Sequence, residues 1–221
     1  MFGSLLVVAK RPVPGQTKTR LCPPLTSEQA ADLYECFLHD TLEIMRRVPG
    51  VQLKIGYLPE DAQSYFQQLA PDIELICQRG ESLGERLDNL LTEALGGGAG
   101  CAVVMDSDSP SLPAEYIHQA FAQLAAADVV IGPTQDGGYY LIGMKKPHPI
   151  LLRQVRMSTP QVLADTLALA QSIGATVSLL PAWYDVDTVT DLRRLLAGTA
   201  ELADGTAQHT LSWLAKASWD K

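Results

Sequence analysis

Short unbroken apolar runs alternate along the whole chain with longer segments in which apolar residues return every three or four positions. The runs Leu5 to Ala9, Gln52 to Leu58, Ile73 to Cys77, Cys101 to Asp106, Val129 to Pro133, Tyr139 to Met144 and Thr176 to Leu180 read as strands. Between them, Ala30, Leu33, Phe37, Thr41, Ile44 and Met45 follow the cap candidates Thr26 and Ser27 at helical spacing. Ser82 with Glu85 forms a capping box ahead of Leu87, Leu90 and Leu91. Pro113 opens a helical run to Ala127, and Thr159-Pro160 opens another that Gly174 can close. Asp187-Thr188 leads into Leu192, Leu195 and Leu196, and Ala207 to Ala217 forms a last short helix whose Trp213 and Leu214 pack on the core. The alternation predicts an α/β fold with a mainly parallel sheet and helices on both faces. There is no internal repeat, and the only loose pieces are Gly96 to Gly100 and the polar stretch Gly198 to Thr206. At 221 residues the chain suffices for one sizeable core, so residues 1–221 are expected to form a single domain.

The central strand carries the most specific chemistry. Val103, Val104 and Met105 read as a buried parallel strand that stops at Asp106-Ser107-Asp108-Ser109-Pro110. Open α/β sheets place ligands at the carboxyl ends of their strands, so two carboxylates stand at an expected ligand crevice. Close like charges raise each other's pKa or recruit a cation, and hard oxygen donors suit Mg²⁺ or Mn²⁺. The same residues also make ordinary turn chemistry, since Asp and Ser bond nearby backbone and Pro110 can start a turn.

Three further segments flank strand ends. Lys10-Arg11-Pro12-Val13-Pro14-Gly15-Gln16-Thr17-Lys18-Thr19-Arg20 follows the first strand; its prolines stiffen the loop and Gly15 allows a tight turn, which can fix Lys18 and Arg20 above the sheet as diphosphate ligands. It lacks the P-loop pattern, and a solvated basic loop is the plain alternative. Asp136-Gly137-Gly138 joins two strands: the glycines let backbone approach a ligand and Asp136 can accept a proton or orient a hydroxyl, while a simple hairpin turn explains the same residues. In Asp185-Val186-Asp187-Thr188, alternation sends both acids to one side, and Asp187 is either an N-cap or a third metal ligand. In a weaker segment, Gln78 to Arg86, the glycines Gly80 and Gly84 and the helix start can frame a nucleobase or be no more than a capped helix with an exposed charged turn.

Charge and composition narrow the classes. The net charge of −8 opposes nonspecific binding to nucleic acid or anionic membranes, yet residues 1–27 hold Lys10, Arg11, Lys18 and Arg20 and no acid. That is a local anion site on an acidic protein. Cys22, Cys36, Cys77 and Cys101 are far apart with no Cys-x-x-Cys pair, and His39, His118, His148 and His209 lack metal-ligand spacing, which argues against zinc and a disulfide framework. No apolar stretch approaches the roughly 18 residues of a membrane span, and the first residues read as a strand rather than a signal peptide. The expected location is cytoplasmic.

In this order, Lys10 to Leu21, Asp106-Ser107-Asp108-Ser109-Pro110, Asp136 to Gly143 and Asp185-Val186-Asp187-Thr188 resemble the GT-A glycosyltransferase-like superfamily of nucleotide-diphospho-sugar transferases, closest to an incompletely characterised bacterial family of transferases. The resemblance spans about Leu5 to Leu196. It implies a Rossmann-like three-layer sandwich that binds a nucleotide across its strand ends. It further implies that Asp106 and Asp108 hold Mg²⁺ or Mn²⁺ on the diphosphate with Asp187 as an additional ligand, and that Lys18 and Arg20 neutralise the leaving phosphates beside Lys10, Arg11 and Gly15. Gly80 and Gly84 would lie near the base, and Asp136, Gly137 and Gly138 would face sugar or acceptor. Nucleotidyltransferases of this superfamily often open with a Gly-x-Gly-x-Arg loop, where this chain has Lys-Arg-Pro-Val-Pro-Gly. The resulting expectation is a metal-dependent glycosyltransferase using a nucleotide-diphosphate sugar and a small-molecule acceptor, with no nucleic-acid partner. The rivals are a nucleotidyltransferase that joins a nucleoside triphosphate to a phosphorylated small molecule, and a non-catalytic nucleotide-binding module. Base, sugar, acceptor and oligomeric state are not legible.

Overall fold

In the computed structural model, which describes residues 2–202, 205–217 and 219, one seven-stranded sheet runs through the molecule in the order β3-β2-β1-β4-β6-β5-β7. Its strands are β1 (Gly3–Lys10), β2 (Val51–Leu58), β3 (Glu74–Cys77), β4 (Cys101–Met105), β5 (Val129–Pro133), β6 (Tyr139–Met144) and β7 (Val177–Leu179). The helices are α1 (Ser27–Arg46), α2 (Gln63–Leu69), α3 (Leu83–Gly96), α4 (Ala114–Gln123), α5 (Ile150–Arg153), α6 (Val162–Ser172), α7 (Val189–Ala197) and α8 (Gln208–Lys216). Ala203 and Asp204, within the polar stretch read as loose, lie outside the described residues.

The central strands read as continuous apolar runs because both of their faces are covered. Leu5, Val7 and Ala9 of β1 enter one core with Phe37 of α1, Ile117 of α4 and Leu192 of α7. Leu6 turns to the other, with Leu90 and Leu91 of α3, Leu152 of α5 and Ala170 of α6. Helices α1 and α3 start where the caps predict. Thr26 and Ser82 each accept the backbone N–H three residues on, with Gln29 and Glu85 completing the capping boxes. At α7 the cap is Thr188 with Asp191, so Asp187 is not an N-cap. Helix α6 begins at Val162 instead of at Thr159-Pro160, since the Thr159 hydroxyl donates back to Arg156 O at 2.9 Å.

One strand departs from the βαβα alternation. β6 lies antiparallel between β4 and β5. The turn from Thr134 to Gly138 is too short for the crossover that parallel neighbours need, and it closes as a hairpin by Thr134 N–H to Gly138 O at 3.1 Å. Because β4 and β5 both run parallel to the rest, this turn emerges on the same sheet edge as Asp106 and Asp108. No helix among the described residues is long and apolar enough to cross a membrane, and the four cysteines are free thiols.

Candidate functional site

At the end of β4 the chain turns so that Asp106 and Asp108 share a side while Ser107 points back into the core. The Ser107 hydroxyl donates to Val8 O at 3.0 Å and stands 2.7 Å from the Tyr34 hydroxyl, and Asp108 N–H donates to Asp106 Oδ1 at 3.0 Å. An Asx turn therefore makes the i, i+2 pairing that the sequence suggested.

The loop after β1 delivers a cation to this pair. Gly15 takes φ +74, Val13 N–H donates to Thr17 Oγ1, and Lys18 itself adopts a left-handed backbone at φ 49. That is a rare conformation for a residue with a long side chain, and it aims the ammonium inward. Lys18 Nζ lies 2.6 Å from Asp108 Oδ1, 2.8 Å from Asp187 Oδ1 and 3.0 Å from Val186 O, with only 5 % of its side chain exposed. An ammonium has three protons, so all are committed to protein acceptors. Arg20 joins through Nη1 to Asp187 Oδ2 at 3.1 Å and is otherwise open to solvent.

Electrostatics divide the acids into two kinds. Burial opposes ionisation of Asp187, but Lys18 and Arg20 outweigh it and hold its pKa below the usual range. Burial, then Asp185 and Asp108, push Asp106 well above its ordinary value. Burial and then Asp108 push Asp185 up to about 6, despite its hydrogen bond from Ser109 Oγ at 2.8 Å. Crowded, half-desolvated carboxylates of this kind fit a divalent cation, whose charge would let both ionise. The oxygen donors suit Mg²⁺ or Mn²⁺. Among the described residues, the ligand atoms that lie within 4.8 Å of one another as a three-residue group are those of Asp40, Glu43 and His209, away from this edge. There Asp40 accepts from His209 N–H, Thr210 N–H and the Thr210 hydroxyl, which caps α8.

Two lobes open over the acids. The first, a cavity of about 440 Å³, is lined by Lys10, Lys18, Arg20 and Arg86 together with Gln78, Asp106, Asp108 and Asp187. The second, of about 530 Å³, shares Arg20, Asp106, Asp108 and Asp187 and adds Asp136, Gly138 and Asp185. Lys18 and Arg20 thus converge with Asp106, Asp108 and Asp187. Arg11 does not line either lobe; its Nη2 faces Asp61 at 3.6 Å. Asp136 is exposed, and its Oδ1 accepts from Thr134 Oγ1 at 2.5 Å and Gly138 N–H at 3.1 Å, leaving Oδ2 without a hydrogen bond from the described residues. It belongs to a hairpin turn and a cavity wall at once.

The glycines have other work. A Cβ at Gly84 would lie 2.0 Å from Leu152 O, so this residue lets α3 pack against α5. A Cβ at Gly137, whose φ is +93, would lie 2.1 Å from Pro160 O. Gly80, at φ +127, packs on Glu85, and Gly15 stands clear of neighbours. Gly15, Gly80, Gly84 and Gly137 line neither lobe.

Some lining residues carry roles that the sequence reading did not assign. Asp185 was legible only as a companion of Asp187, yet it is the acid that acts most strongly on Asp106. Arg86 holds a buried Nε with no partner among the described residues while lining the first lobe. Gln78 spends both amide protons on Gly56 O and Ala9 O, which leaves its carbonyl oxygen as an acceptor in that lobe. The sequence places Gln78 and Arg86 at the ends of the weaker segment, but nothing in their spacing assigns either a role.

Residues 41–159 match the family described as "Uncharacterized protein conserved in bacteria (DUF2064)". No curated protein matches the chain. Over 96 % of this chain and 94 % of the other, the fold superposes with a TM-score of 0.88 and 33 % identity on a "putative nucleotide-diphospho-sugar transferase" from Desulfovibrio desulfuricans G20. A CMP:2-keto-3-deoxy-manno-octonic acid synthetase solved with CTP shares the fold at TM-score 0.58 and 14 % identity, over 91 % of this chain and 99 % of that one. So does Rv0371c of Mycobacterium tuberculosis H37Rv in complex with manganese, at TM-score 0.51 and 20 % identity, over 89 % and 98 %.

Proposed function

Starting from a chain that belongs to the bacterial family DUF2064, we propose that it is a metal-dependent transferase that takes a nucleotide-diphosphate sugar and passes the sugar to a small-molecule hydroxyl. The observation that carries this reading is the convergence of Lys18, Arg20, Asp106 and Asp108 at the junction of two lobes, one lined with cations and one without further cations. The relative of 33 % identity bears the corresponding description, and Rv0371c was solved with manganese.

In this reading Asp106 and Asp108 would hold Mg²⁺ or Mn²⁺, with Asp185, the acid that acts most strongly on Asp106, as a further candidate and Asp187 reserved for Lys18 and Arg20. A bound divalent ion would supply charge neutralisation at the diphosphate. Arg20, with donors to spare, meets the leaving phosphate oxygens, and Lys10 and Arg86 extend the same field across the first lobe. Lys18 acts through position: its protons hold Asp108 and Asp187 apart and in place. The acceptor oxygen bonds to the anomeric carbon as the bond from that carbon to the phosphate oxygen breaks. The electron pair leaves with the nucleoside diphosphate, and the hydroxyl proton passes to Asp136 Oδ2.

Nucleotidyl transfer is the second reading, favoured by the fold shared with a synthetase solved with CTP. The test is a thermal-shift comparison of Mn²⁺ with nucleotide sugars against Mn²⁺ with nucleoside triphosphates, followed by product analysis. Ligand at a hundred times its Kd adds about 2.7 kcal/mol, a readily visible shift. Free nucleoside diphosphate as product supports the proposal, and pyrophosphate overturns it in favour of the second reading. Binding that is indifferent to metal, with no product, would mark a non-catalytic nucleotide-binding module.

A further inference from the structure

The cations of the site are partitioned. Lys10, Lys18, Arg20 and Arg86 all line the first lobe, whereas Arg20 alone lines the second, where it is paired with Asp187 at 3.1 Å. Against that single guanidinium stand the carboxyls of Asp106, Asp108, Asp136, Asp185 and Asp187. The remaining wall is apolar and aromatic, with Leu87, Val104, Tyr139, Met157 and Val162 among its members. A volume of about 530 Å³ is ample for a drug-sized molecule.

We infer that the second lobe takes an uncharged acceptor, a hydroxyl carried on an apolar body, and turns away phosphorylated acceptors. This rests on the transferase reading and specifies its acceptor. A phosphate monoester placed there would bring a dianion against an apolar wall and five carboxylates, where the one side-chain cation, Arg20, is already paired with Asp187 and, in the transferase reading, shared with the bound ion for the donor's diphosphate. An alcohol has no charge to desolvate on entering: its body covers Met157, Leu87 and Val162, and its hydroxyl is left at the polar floor near Asp136 and Asp106. The same partition assigns the phosphates of the donor to the first lobe, so donor and acceptor are sorted by charge before any sugar is recognised.

The probes are 4-phenylbutan-1-ol and its phosphate monoester, titrated into the whole protein by calorimetry. The alcohol is expected to bind at least tenfold more tightly than the ester. Met157→Lys, which sets an ammonium in the apolar wall, should weaken the alcohol and strengthen the ester until the preference closes or reverses. Thr159→Lys, on the same wall, repeats the test if Met157→Lys does not fold. Preference for the ester, binding of neither probe, or a preference that the added lysines leave unmoved overturns the inference. Melting temperature with Mn²⁺ and a panel of nucleoside diphosphates reports the first lobe separately. No shift there sinks the transferase reading itself, whereas a shift together with ester preference sinks only the acceptor class.

Discussion

Lys18 meets Asp187 across 169 residues of chain, with Nζ 2.8 Å from Oδ1, and ties the loop after β1 to the turn that opens α7. The same ammonium holds Asp108, so Lys18→Met leaves Asp108 without its cation and Asp187 with Arg20 alone. Breaking a fully buried pair costs about 3–5 kcal/mol. Here the carboxylates are 40 % and 37 % exposed and screened by water, which lowers the expected loss to about 2 kcal/mol. The midpoint of urea unfolding measures it; an unchanged midpoint would make the ammonium a bystander.

Asp106→Asn separates stability from function. It removes a charge that burial and Asp185 disfavour, so the metal-free protein should melt at the same temperature or higher. The rise in melting temperature on adding Mn²⁺ should vanish. Asp108→Ala should leave the fold intact and lower turnover by roughly a hundred- to thousandfold, the usual effect of losing one electrostatic contact to a transition state. A Mn²⁺ response in Asp106→Asn equal to that of the native protein would move the ion elsewhere.

Acidity at Asp185 gives a signed prediction. Its carboxyl is pushed up to about 6 from the ordinary 3.8 by burial and then by Asp108. The folded chain therefore holds this proton more firmly than the unfolded chain, and the stability that the neutral carboxyl supplies is complete below the unfolded value and is lost as pH rises through the folded one. Without metal, Asp185→Asn should match the native protein near pH 4 and exceed it above pH 6. Denaturant midpoints from pH 4 to 7 provide the comparison, and parallel curves would refute it.

Gly84→Ala and Gly137→Ala test whether these glycines serve packing. Each would drive a methyl group into a carbonyl oxygen, Leu152 O in one case and Pro160 O in the other. Losses of about 2 kcal/mol are expected for each from overpacking, with added backbone strain at Gly137. Nucleotide affinity per folded molecule should not change for Gly84→Ala. A stable variant with lost affinity would instead restore the reading of Gly84 as a base-framing residue.

The strands were legible because burial on both faces demands unbroken apolar runs, and all seven fall within two residues of their expected ends. Caps at Thr26 and Ser82 were legible because the bonds they make are local. What the sequence hides is partnership. Asp185 and Asp187 have equal claims by spacing, and only the arrival of Lys18 from the far end of the chain decides that Asp187 is neutralised while Asp185 is buried beside Asp106. Arg11 and Lys10 are adjacent and alike, but the first turns to Asp61 and the second to the cavity. Glycine is the most ambiguous: a residue without a side chain serves a ligand, a turn or a neighbouring helix equally well, and the packing of α3 on α5 that claims Gly84 has no mark in the one-dimensional pattern.

Lys18 has one more consequence. Because its ammonium already sits between Asp108 and Asp187, the resting protein carries an internal counter-ion and does not depend on a dissolved one to keep these two acids from repelling each other. Under the proposed metal dependence, a cell starved of divalent ions would silence this molecule long before unfolding it, and resupply would restart it without synthesis of new chains.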